Sequence, residues 1–269
     1  MIIDVHVHTD VSKSLDDFSQ IIREAERFDA LLVTYSIRPV KRGARHQYPT
    51  PEFVHAANEE TYALMQRYPD RVRGFVYVNP AHARESREEM ELRLGQQGFI
   101  GLKLWHAIPC SDPRVDALLD ICEHYHVPAL QHTFLKVGGL KFGESEPPLV
   151  AALAARHPKV TVIAAHSGGD WEYGAKVFRN SPNVLLDIAG GECWADYIEV
   201  LVDHCGIERV IFGTDMPGRS FTSQVAKVHG ANLSDTDKQK ILYHNMANVL
   251  ASVDSSAKAA GRASGAMPS

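Results

Sequence analysis

Asp4-Val5-His6-Val7-His8 heads the first of eight apolar segments, and its reading decides the fold. Side chains on a strand alternate faces with period two, so His6 and His8 are expected to point the same way. Val5 and Val7 are expected to face the opposite side, against helices. Two neutral imidazoles at that spacing make a bidentate site for an ion of the Zn, Fe or Mn class. An ordinary half-exposed strand would carry the same residues, so the reading depends on whether later strand ends supply further ligands.

The other apolar segments are 30–37, 72–79, 99–105, 127–134, 160–166, 184–189 and 209–215, and with 2–8 their starts lie 24 to 42 residues apart. That is roughly the ~30 residues of a βα unit. Their near-continuous hydrophobicity suits parallel strands covered on both faces. Helical patterns fill the intervals, opened by Pro51, Asp112-Pro113 and Glu146-Pro147-Pro148. An unbroken eightfold alternation predicts one closed (β/α)8 TIM barrel over residues 1–251. An open doubly wound sheet is the rival, but no GxGxxG turn follows the first strand. Residues 252–269, rich in Ala, Ser and Gly, are expected to form a disordered tail.

The chain's 269 residues are 45% hydrophobic and 23% charged, an ordinary balance for a globular domain. A net charge of -5 argues against nucleic-acid binding, which favours basic surfaces. No apolar run approaches the ~18 residues that span a bilayer, and no secretory leader is visible, so no membrane partner and a cytoplasmic location are expected. The four cysteines form no CxxC pair, consistent with reduced thiols.

Barrel active sites lie at the C-terminal ends of the strands. Here strand one ends in His6 and His8, strand four carries Lys103, strand five His132, strand six His166 and strand eight Asp215. Five metal-competent groups from four strands thus converge on one mouth. Catalytic metals use three or four protein ligands and keep one position open. Water bound there loses its proton near pH ~7. Asp215 can be both a ligand and the acceptor of that proton. His166, if it stays off the metal, is placed to polarise a carbonyl or shuttle a proton.

The motifs DVHVH (4–8), GLKLW (101–105), QHTF (131–134), AHSGGDWE (165–172), FGTDMP (212–217) and ILYHNMANVL (241–250) together resemble the amidohydrolase superfamily. Within it the chain is most similar to the branch that includes aminocarboxymuconate semialdehyde decarboxylase. The resemblance runs in order over residues 1–251 and implies a TIM barrel. It also implies His6, His8, His132 and Asp215 as ligands of one divalent ion, with His166 as the catalytic histidine. Zn2+ is the ion expected, and Mn2+, Fe2+ or Co2+ would fit the same donors. In binuclear relatives the strand-four lysine is carbamylated, so a second ion would follow if Lys103 were modified. The branch more often reads GxKLHP; here Trp105 stands in place of that histidine and His106 follows. One ion is therefore the expectation, with Lys103 free to act on substrate. A homodimer would follow the family pattern.

The segment 38–49 carries Arg38 and Arg45, which could seat a substrate carboxylate bidentately and, with Trp105, form a substrate-binding set. Its alternative is a solvated loop. The segment 136–145, with Gly138, Gly139 and Gly143, reads as a lid or as a plain flexible loop. The leading functional expectation is a metal-dependent hydrolase, metal-bound hydroxide attacking a carbonyl of a small cyclic ester, amide or related substrate that bears a carboxylate. The alternative is a metal-dependent decarboxylase (carboxy-lyase) or hydratase. A third is a catalytically silent binding barrel.

Overall fold

The computed structural model describes residues 1–9, 18–37, 49–136, 138–141 and 143–264, with side chains to residue 255. Arg38 and Arg45 lie outside the described residues. Strands β1 (Ile2–Thr9), β2 (Ala30–Ser36) and β3 (Val72–Gly74) pair in parallel. A second parallel sheet runs in order through β4 (Val76–Tyr77), β5 (Leu102–Leu104), β6 (Ala129–Gln131), β7 (Val162–Ala164), β8 (Val184–Asp187) and β9 (Val210–Ile211).

Hydrogen bonds join the two sheets at both seams. At one, β3 and β4 are a single staggered strand interrupted at Phe75, whose N–H donates to Thr34 O while Ile100 N–H donates to Gly74 O. At the other, Val5 N–H donates to Phe212 O, Asp215 N–H to His6 O and His8 N–H to Met216 O. The ring thus closes as the eightfold spacing predicts, and the closing seam carries three of the predicted ligands.

Helices α1 (Ser19–Arg27), α2 (Pro51–Arg67), α3 (Ala83–Gln96), α4 (Pro113–Tyr125), α5 (Pro147–Arg156), α6 (Trp171–Phe178), α7 (Tyr197–Cys205) and α8 (Phe221–Gly230) follow the strands. Proline opens α2, α4 and α5, where a missing N–H costs nothing. Asp170 caps α6 by accepting from Tyr173 N–H. The short α9 (Asp235–Gln239) leads through a π turn into α10 (Asn245–Ser264). Helix α10 continues past residue 252, where composition predicts a tail; alanine is the strongest helix former, and glycine is scarce until Gly261. Among the described residues no helix is long and apolar enough to cross a membrane.

Two buried clusters divide the core. One lies between strands and helices and includes Leu32, Val76, Leu102, Val162, Leu64, Leu118, Leu153 and Leu201. The other fills the barrel interior with Ile3, Val5, Val33, Tyr35, Phe75, Leu130, Ile163 and Ile211. The expectation that Val5 and Val7 share a face is corrected here. A register shift between Asp4 and Val7 leaves Val5 in the interior cluster and Val7 in the helix-facing one. The extra residue of a bulge reverses side-chain parity, which keeps His6 and His8 inward at the strand's end.

Candidate metal centre

His6 is fully buried at the end of β1. Its Nδ1 lies 2.7 Å from Asp187 Oδ2. A carboxylate only accepts, so that nitrogen carries the proton and Nε2 keeps the lone pair. His6 Nε2 is buried without a hydrogen-bond partner among the described residues, with Asp215 Oδ1 3.6 Å away. A buried polar atom left unpaired is costly, and a cation beside it removes the cost.

The neighbours supply the rest of such a site. His8 Nε2 stands 3.0 Å from Asp215 Oδ1. Donor atoms of His6, His166 and Asp215 all fall within 4.8 Å of one another. The His6 ring centroid is 5.3 Å from that of His8 and 4.8 Å from that of His166. Burial would raise the Asp215 carboxyl, but the His8 hydrogen bond and the fields of His6 and His166 hold it well below the usual carboxylate range. Burial pushes both His6 and His8 down, keeping their imidazoles neutral and able to bind a metal.

Two buried carboxylates and a close-packed glycine hold these side chains in place. Asp187 accepts from His6 Nδ1–H, from His166 N–H at 3.0 Å and from Ala189 N–H at 2.8 Å. Asp4 accepts from His6 N–H, Thr214 N–H and Thr214 Oγ1–H, tying β1 to the loop that bears Asp215. Burial raises its carboxyl to about 7 even so. Gly190 lies so close that an added Cβ would stand 2.8 Å from His166 Nδ1 and 2.9 Å from Asp215 Oδ2. His166 and Ser167 both adopt left-handed backbone, with φ of 57° and 48°. For residues other than glycine this costs of order 1–3 kcal/mol and is typical of functional positions.

His132 touches both the cluster around His166 and an acidic neighbour. Its Nε2 lies 3.2 Å from Glu144 Oε1, and its donor atoms group with those of His106 and Glu144. Its ring remains 5.2 Å from that of His166. Lys103 is wholly buried beneath the site. Its Nζ donates to Tyr35 OH at 3.0 Å and lies 4.3 Å from that ring's centre, while burial pushes its ammonium down to about 7. Trp105 is half-buried, its ring 4.0 Å from that of His106. Tyr35 and Glu144 escape the sequence reading. Tyr35 packs edge-on against His6 and His8, yet looks like any strand aromatic. Glu144 is a lone acid in a Gly- and Lys-rich loop.

The sequence model of the amidohydrolase family matches residues 3–251. The chain belongs to the amidohydrolase family. No curated protein matches this amidohydrolase by sequence. Solved structures show the same TIM barrel. A dihydroxybenzoic acid decarboxylase from a Polaromonas species, with bound manganese and the inhibitor 2-nitroresorcinol, superposes with a TM-score of 0.73 at 14% identity, covering 92% of this chain and 96% of its own. For 2,6-dihydroxybenzoate decarboxylase from Rhizobium the values are 0.71 and 13%, over 92% and 98%. For 4-oxalomesaconate hydratase from Rhodopseudomonas palustris they are 0.68 and 17%, over 98% and 100%.

Proposed function

We propose that this amidohydrolase is a metal-dependent carboxy-lyase acting on a small, oxygen-substituted unsaturated or aromatic carboxylic acid. The observation that carries the metal is the buried His6 Nε2, unpaired among the described residues and facing Asp215. Its donor set is built on His6, His8 and Asp215, two imidazoles and one carboxylate, which suits a divalent transition ion with open positions. His132, expected from the sequence as a fourth ligand, has its ring 5.2 Å from that of His166 and its Nε2 3.2 Å from Glu144 Oε1, and is kept as the fourth donor of the proposed set. Held by these residues, a divalent ion would supply Lewis acidity toward the substrate's oxygens. Decarboxylation is favoured because structures similar over nearly their whole length are decarboxylases and a hydratase, one of them with bound manganese. Mn2+ therefore joins Zn2+ as the ion to test first.

The chain's own residues have separable tasks. His166 Nδ1–H donates to the Ala189 carbonyl at 3.0 Å, so Nε2 is the nitrogen left to give or take a proton at the substrate. Asp187 fixes the His166 main chain and the His6 tautomer together. Tyr35 and Lys103 close the floor and exclude water from it. Hydrolysis is a second reading with its own support: Asp215 is held ionised, as a proton acceptor for an attacking water must be.

The test is product analysis on hydroxybenzoates, other unsaturated carboxylic acids, lactones and amides after reconstitution with Mn2+ or Zn2+. Carbon dioxide release that disappears in Asp215→Asn supports the lyase. Ring opening of a lactone or amide without carbon dioxide supports hydrolysis instead.

A further inference from the structure

The turn that carries His166 is held by more than the Asp187 carboxylate. Ser167 keeps left-handed backbone at φ 48°, which a glycine would adopt without steric strain. A serine there is strained, and its hydroxyl makes two hydrogen bonds that a glycine could not. Ser167 is fully buried, and its Oγ–H donates to the Asp187 carbonyl at 2.8 Å. The same oxygen accepts from Tyr197 OH at 3.2 Å. Asp187 thus binds the turn twice, through its carbonyl to Ser167 and through its carboxylate to His166 N–H. We infer that Ser167 and Tyr197 are positioning residues for His166, their paired hydroxyls fixing the direction in which its imidazole meets substrate. The inference rests on the proton-handling role proposed for His166.

The hydroxyl pair is itself anchored. Tyr197 opens α7 and is buried, its ring 5.2 Å from that of Trp171 at the start of α6. Lys227 Nζ, from α8, stands 4.9 Å from the centre of the same ring. That ammonium is fixed in turn, donating to Ile188 O and to Gln224 Oε1, each at 2.7 Å. Ile188 adjoins Ala189, whose carbonyl accepts from His166 Nδ1–H. Three helices therefore reach the imidazole through one buried network. Burial pushes the Tyr197 phenol up, so it stays protonated and able to donate. Gly174 of α6 lies so close to the Ser167 carbonyl that no side chain fits between them, and Gly169 N–H donates to His166 O at 2.9 Å. Those contacts hold the main chain on the helix side, and the hydroxyl pair ties the same turn to β8. A phenylalanine at 197 would fill the same space without making the bond, so the hydroxyl can be removed without opening a cavity.

The experiment reads the imidazole directly. The full chain, stripped with a chelator and labelled at its histidine ring nitrogens, is observed by NMR at about pH 8, above the usual histidine range. His166 is assigned by the signals lost in His166→Gln. Wild type is expected to show a protonated Nδ1 and a bare Nε2 as two well-separated signals. In Tyr197→Phe and in Ser167→Ala these are expected to move toward each other as the second tautomer gains population, while the signals of exposed His124 stay fixed. Ser167→Gly, which relieves the strain, is expected to match Ser167→Ala. The double variant Tyr197→Phe/Ser167→Ala is expected to shift no further than Ser167→Ala alone, because the phenol acts through the serine. His166 signals left as in wild type by both single variants overturn the inference, as does a double-variant shift equal to the sum of the single ones. On the acid selected by product analysis, both single variants are expected to lose about tenfold in kcat with KM unaltered. Should the signals move while kcat stays as in wild type, the positioning stands and the role given to His166 falls.

Discussion

Two groups of side chains share the barrel mouth, each with two imidazoles and a carboxylate, and they are held by different means. His6, His8 and Asp215 sit on the seam that closes the barrel, where main-chain hydrogen bonds join His6 to Asp215 and His8 to Met216. Asp4 and Asp187 brace them from below with six hydrogen bonds among buried groups. His106, His132 and Glu144 depend instead on a glycine-bearing loop pinned through Ser145. A seam-borne site is part of the fold's own hydrogen bonding, so its geometry survives changes at the rim. A loop-borne group can be lost without disturbing the barrel.

The largest effect expected from that contrast is in the carboxylates. Asp215→Asn removes a charged donor and a proton-handling group together, and its activity is expected to fall about 10^3-fold. Glu144→Gln is expected to stay within about tenfold of wild type, in the range of groups that support a metal site from outside it. Steady-state rates of the two variants side by side check this. Equal losses would erase the distinction between the two groups.

Gly190→Ala comes next. A methyl there meets His166 Nδ1 and Asp215 Oδ2 at under 3 Å and must be accommodated at φ +76°. Since displacement of about 1 Å can cost ~10^2-fold in rate, a loss of that order in kcat is expected, with the far-ultraviolet circular dichroism unchanged. If kcat is unaffected, His166 does not take part in the reaction.

A smaller effect is expected at Asp187, where three donors converge on one carboxylate. Asn offers one acceptor oxygen and turns N–H groups toward another donor, so Asp187→Asn is expected to weaken metal affinity about 10-fold to 100-fold. Chelator competition measures it. Unaltered affinity would show that the His6 tautomer is held by something else.

The smallest effect concerns Lys103 in the metal-free protein. Burial lowers its pKa from 10.5 to about 7. Below pH 7 both folded and unfolded chains are protonated, and the full cost of burying the charge is present. Between about 7 and 10.5 the unfolded chain binds more protons, so this group's contribution raises stability with pH, and above 10.5 its cost is gone. Lys103→Met should therefore raise Tm most near pH 7, with the gain shrinking toward pH 10. A gain independent of pH would mean that lost packing with Tyr35, not charge, dominates.

Much of the fold was legible because burial on both faces leaves a plain mark. The segments 2–8, 30–37, 127–134 and 184–189 are near-continuous apolar runs and became β1, β2, β6 and β8. The interruption of the third strand at Phe75 was not legible; Phe75 packs against Gly101, a residue distant in sequence. Nor was the reversal of Val5 and Val7, because a bulge changes no residue type. In the candidate site, His6, His8, His166 and Asp215 were readable from their places at strand ends. Glu144 was not, since an acid between glycines and lysines looks the same whether it meets water or His132.

The order of the residues alone determined an eightfold βα alternation and set its imidazoles and late aspartate at strand ends, because hydrophobic period and segment length are local properties. Which donors stand together was decided only in three dimensions. The closing seam draws β1 to Asp215 across more than 200 residues, and the packing of Gly143 on the His106–Ala107 peptide turns Glu144 toward His132. Contacts of that kind depend on close approach between distant segments, and no local pattern records them.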